Sequence, residues 1–219
     1  MKTLALVSIL AFAGTPLAAQ QGVDAQLAGR VAPDVAAAVR TLADSAMRAG
    51  LPSDPLVQKA IEGAAKGVPA PQIIAALETV LGRLDQAAAA IRAAGVAQPD
   101  AETVVAGAFA ASAGMPASAV TALARVQTAK TPAAALLRIA GTLAAIGVPS
   151  PQAVSLVVAA ARSGGDVTAV LDLPARVESA VARGVTPVQA AEGLARAAAH
   201  GGLPQSPGGG RGNSGSHRP

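Results

Sequence analysis

Residues 147–162 read GVPSPQAVSLVVAAAR, and this stretch decides the fold class. Gly147 can take the left-handed conformation that ends a helix, and Val148 can pack back on the turn just closed. Pro151 suits the first turn of a new helix, where its missing N–H satisfies no bond anyway. The Ala, Val, Leu and Ser that follow show no period-two alternation and contain no aromatic residue of the kind strands favour. The same punctuation, Gly then a hydrophobic residue then Pro, begins at Gly50 (GLPSDP), Gly67 (GVPAPQ), Gly95 (GVAQPD), Gly114 (GMPASA) and Gly184 (GVTPVQ). Gly164-Gly165 is a Pro-free variant. Each of these is expected to terminate one helix and lead into the next.

Between the turns, apolar residues keep helical spacing. Ile73, Leu77, Val80, Leu84 and Ile91 form one stripe after Pro71, Val35, Val39 and Leu42 another, and Leu136, Ala140 and Leu143 a third. Asp54-Pro55, Ser150-Pro151 and Thr186-Pro187 read as a capping residue followed by a first-turn proline, Thr131-Pro132 as a further helix start. Leu173-Pro174 should break or kink the segment that Asp166 opens.

The intervals between the turn glycines are 17, 28, 19, 33, 17 and 20 residues, so short units alternate with longer ones. Such alternation predicts an all-α domain of stacked helical hairpins, an α-solenoid-like repeat, over 31–200. The uneven period leaves an irregular helical bundle as the alternative. Tetratricopeptide repeats need Trp and Tyr, which the chain lacks, and the ankyrin TPLHxA motif is absent.

The ends differ from the middle. Lys2, the apolar run Leu4–Ala13, the break at Gly14-Thr15-Pro16 and the small residues before Gln20 follow the order of a secretory signal. Residues 1–19 are therefore expected to be cleaved, leaving 20–30 as a flexible lead-in and placing the protein in a bacterial periplasm or outside the cell. The apolar run is too short for a membrane span, which needs about 20 residues, so no transmembrane segment is expected. From Gly201 the chain reads GGLPQSPGGGRGNSGSHRP, with Leu203 the only large aliphatic residue, and 201–219 are expected to be disordered.

Composition narrows the chemistry. Charged residues are 14% of the 219, Cys, Trp and Tyr are absent, and Phe12 and Phe109 are the only aromatics. Disulfides and thiolate metal sites are excluded, and no cofactor, metal site or catalytic residue is expected. His200 stands at a helix end and His217 in the tail, too far apart for zinc or a catalytic triad. Gly210–Gly215 matches GxGxxG but follows no strand and opens no helix, so it is not read as a phosphate loop. Asp100 and Glu102 stand where the helix dipole favours acids.

A net charge of +4 gives no reason to expect a nucleic-acid partner. Arg48, Lys66, Arg92, Arg162, Arg183 and His200 lie just before terminating glycines, where cations complement the helix dipole. Gathered on one edge, they would attract anionic envelope polymer or lipid, the alternative to a protein-binding scaffold. No charge lies between Glu102 and Arg125 or between Arg138 and Arg162. The helices there are expected either in the core or at a surface that meets a protein partner or a second copy, formed by Val105, Phe109, Val154, Val157 and Val158. An exported, non-catalytic helical scaffold is the leading expectation.

Two measurements check the ends. Intact mass of protein recovered from an export-competent host should place the N-terminus at Gln20; retention of Met1 in most molecules would remove the export expectation. Deleting 201–219 should leave helicity and melting temperature unchanged within about a degree, because the segment offers almost no apolar surface to bury.

Overall fold

A computed structural model of the chain describes residues 16–163 and 167–201. Residues 1–15 of the expected signal sequence, residues 164–166 with Asp166, and residues 202–219 with the GxGxxG lie outside the described residues. Those described are all-helical and contain no strand. The helices are α1 (Pro16–Leu27), α2 (Pro33–Arg48), α3 (Asp54–Ala65), α4 (Ala70–Ala93), α5 (Ala101–Ser112), α6 (Ala117–Arg125), α7 (Ala133–Ala145), α8 (Ser150–Arg162), α9 (Val167–Leu171), α10 (Leu173–Ala182) and α11 (Pro187–Ala199). None of them is long and apolar enough to cross a membrane.

The chain forms two compact units. One takes the residues up to Arg48 with Ser53–Thr79, the other Ala49–Pro52 with the residues from Val80 onward. In the first, α1 packs on α2 and α3, and α2 on α3. Residues 20–27, part of the segment expected to be flexible, continue α1 and bury Val23 and Leu27. Asp24 pairs with Arg40 of α2. Val35 and Val39 are fully buried, but Ala43 and Ala46 complete that face while Leu42 is only half-buried. On α4 the stripe Ile73, Leu77, Leu84 and Ile91 is buried, with Val80 half-buried.

In the second unit, parallel neighbours alternate. Thr121 Oγ1 of α6 donates to Ala90 O of α4 at 2.9 Å, and Arg125 donates to Ala93 O at 3.3 Å, so both helices run the same way. The Ser150 hydroxyl at the start of α8 donates to Gly114 O, in the turn before α6, at 3.5 Å, and α6 packs on α8. One depression between α8 and α11 joins Pro151, Gln152 and Ser155 to Glu192 and Ala195, and a second joins Val158 and Arg162 to Ala198 and Ala199. These helices are parallel too. On the other side α7 follows α5: Glu102 meets Arg138 at 3.6 Å, and Phe109 lies against Gly141.

The turns repeat one geometry. Gly50, Gly67, Gly95, Gly114, Gly147 and Gly184 all have positive φ, between +68° and +100°, as do Gly29 and Gly201. At Gly67 the glycine N–H donates to Ala64 O and the Val68 N–H to Gly63 O, both at 3.0 Å, which satisfies carbonyls the helix leaves open. The capping expectation holds in one case of three. Thr186 Oγ1 accepts the Gln189 N–H while Gln189 Oε1 accepts the Thr186 N–H. Asp54 and Ser150 do not cap; their helices begin a residue earlier, with Ser53 and Pro149 outside them, and neither outside residue makes a side-chain cap bond. Asp100 caps α5 through the Thr103 N–H at 2.7 Å. The helix breaks at Asp172, between α9 and α10, and Pro174 sits in the first turn of α10, where its missing N–H is tolerated.

Glycines inside the helices divide into two kinds. A Cβ at Gly141 would meet the Phe109 ring at 2.8 Å and the Ala110 Cα at 3.1 Å, whereas Gly82 and Gly193 have nothing within 4 Å. Thermal denaturation should therefore show Gly141→Ala destabilising by about 1–3 kcal/mol through overpacking. Gly82→Ala and Gly193→Ala should instead stabilise by roughly 0.5–1 kcal/mol through helix propensity. Gly67→Ala should cost about 1–2 kcal/mol from the left-handed backbone alone.

Candidate functional site

The second unit carries a groove along α8 and α11. Small residues create it: buried Ala153 and Ala160 of α8 and Ala190, Ala191 and Ala198 of α11 let the two helices approach closely. Above this floor the larger depression, about 380 Å³, is lined by Ser155, Val158, Ala159, Arg162 and Ala199. The smaller one continues it toward Pro151 and Glu192. The walls are thus mainly methyl groups and hydroxyls, with Arg162 at one end and Glu192 at the other. Another depression of similar size lies in the first unit, where Arg30 and Val31 face Gly67, Val68 and Ile73.

The five residues expected at an interaction surface are divided by the fold. Val157 is fully buried and belongs to the core, so a charge there would unfold the domain rather than test a surface. Val154 and Val158 are half-buried, and Val158 alone of the five lines the groove. Val105 and Phe109 belong to α5, which packs on α6 and α7, whereas α8 packs on α6, α7, α9 and α11. Val105 is half-buried and Phe109 is 41% exposed. The five do not gather into one patch.

The uncharged character of α5 and α8 follows from their positions. Gly107 of α5 lies against Ala87 and Ile91 of α4 and Val120 of α6, while its other neighbour is α7. With partners on several sides, neither helix needs a charged stripe.

The ionisable side chains are mostly at the surface. Lys66 and Lys59 hydrogen-bond the Glu62 carboxyl and hold it below the ordinary carboxylate range. Among the described residues, no three or more of His, Cys, Asp and Glu come together as a metal site would require.

Sequence reasoning missed the groove because its lining is Ala and Ser, which carry no motif. It also missed the exposure of Leu171 (54%), Val181 and Val185. Val185 is the hydrophobic residue of the last turn; of its counterparts, Leu51, Met115 and Val148 are buried and Val68 and Val96 half-buried. The position in the repeat signals packing; only the helix that follows decides whether a neighbour is there to supply it. Comparison of the chain with protein-family models, with curated proteins and with solved structures finds no match.

Proposed function

We propose that the chain is an exported, non-catalytic helical scaffold that holds another protein in the α8–α11 groove. The observation carrying this reading is an open, weakly polar groove laid along two parallel helices, the shape into which an amphipathic helix docks with anchors at helical spacing. Arg162 and Glu192 at its two ends would orient such a partner. Export to the periplasm or cell exterior is supported by the n-region, apolar run and small residues of 1–19.

The same reading takes the second unit as an open stack of helical hairpins rather than a closed bundle. Its support is the pairing pattern. With α9 and α10 counted as one broken helix, substantial packing among the described helices of that unit joins only elements next to each other or one apart in sequence. A closed bundle would also bring first and last helices together. Open stacks present long grooves between neighbouring helices, and binding to them is the usual service of such architecture.

Val158→Asp tests the reading where a charge at buried Val157 would not. Val158 is half-buried on the groove wall, so the variant should keep its helicity and melting temperature. Pull-down from the cell envelope should show one partner captured by the wild type and weakened about tenfold or more by Val158→Asp. Ala175→Asp, on an exposed position of α10, should capture it normally. Equal capture by folded Val158→Asp would overturn the groove as the binding surface.

A further inference from the structure

The helix directions of the second unit sort its cations onto one edge. Because α4, α6, α8 and α11 run parallel, their C-terminal ends share that edge, and each brings a basic residue: Arg92, Arg125, Arg162 and Arg196. Lys130, in the turn from α6 to α7, and His200, directly after α11, belong to it as well. All six are exposed. The opposite edge holds the turns at Gly114, Gly147 and Gly184, and Arg183 is the only charged residue within two positions of any of those glycines.

Helix dipoles do not account for this asymmetry. A cation is favoured equally at the C-terminus of every helix. Yet α5 and α7, which end at the opposite edge, have no basic residue in their last turn. Among the described residues, the acids at the start of α5 are already engaged: Asp100 caps the helix through the Thr103 N–H, and Glu102 pairs with Arg138. Packed helices stand about 8–10 Å apart, so the C-terminal ends of these four helices span roughly 24–30 Å. Neighbouring charges lie within about one Debye length at 0.1 M salt, and their fields add.

We propose that this edge binds a linear, phosphate-bearing polyanion laid across the ends of α4, α6, α8 and α11. A flexible polymer can contact several cations at once, whereas a single phosphate reaches one or two and gains nothing from the line. An anionic membrane is the less favoured partner, since among the described residues the last turns of α4, α6, α8 and α11 carry no exposed large apolar or aromatic side chain. The edge meets the α8–α11 groove only at Arg162, which lines the end of that groove; Arg92, Arg125 and Arg196 do not line it.

Binding of fluorescent long-chain inorganic polyphosphate to the purified protein tests the assignment. Affinity should fall roughly tenfold or more between about 50 and 200 mM salt, as counterion release requires, and orthophosphate should not compete at equal phosphate concentration. The double variant Arg162→Gln/Arg196→Gln should weaken binding about tenfold. Arg183→Gln, a matched helix-end cation on the opposite edge, should leave it unchanged, with circular dichroism confirming the fold of both. Equal loss in Arg183→Gln, insensitivity to salt, or binding to phosphatidylglycerol vesicles but not to polyphosphate would each overturn the proposal.

Discussion

Close approach of helices through small side chains is the constraint on which the rest of the structure depends. Where α5 and α7 cross, the space a Cβ on Gly141 would fill is taken by the Phe109 ring and the Ala110 backbone. Gly107 repeats the arrangement against Ala87 and Ile91, and Gly63 against Ile73. Between α8 and α11 alanines line both faces. A chain with two aromatics and abundant alanine cannot fill wide gaps with bulk, so it reaches interior density by shortening the distance between backbones. The shallow groove between α8 and α11 follows from helices held that near.

Much of this was legible in the sequence, and the reasons differ by element. The turn glycines were visible because left-handed backbone is something few residues other than glycine supply cheaply, and the valine or methionine after them marks the returning chain. The stripe from Ile73 to Ile91 was visible because large aliphatics at helical spacing have one ready explanation. Capping was less legible. Ser150 and Asp54 sit before proline as capping residues do, but the helix start moved back by one residue, a shift that sequence pattern does not resolve.

Legibility ended where alanine began. Which alanines face inward depends on where the neighbouring helix runs, and an Ala-rich helix is apolar on several sides at once. Hence Val157 was grouped with Val154 and Val158, although only Val157 is completely enclosed. The basic edge was half legible. Cations before terminal glycines could be picked out one by one, but which of them share an edge depends on helix direction, and Arg183 proved to stand apart from Arg92 and Arg162.

The pairing pattern of the second unit also bears on how it forms. Each helix there packs against partners close to it in sequence, with α7 and α10 or α8 and α11 the most widely numbered pairs. Few long loops must close before burial begins, so the entropic barrier is divided into short steps and the chain has low contact order. Loss of α11 would leave the pairing of α5 with α7 in place, since the two pairings share no helix. Because α11 both walls the groove and packs on α8 and α10, a partner seated between α8 and α11 would also stabilise that pairing by mass action.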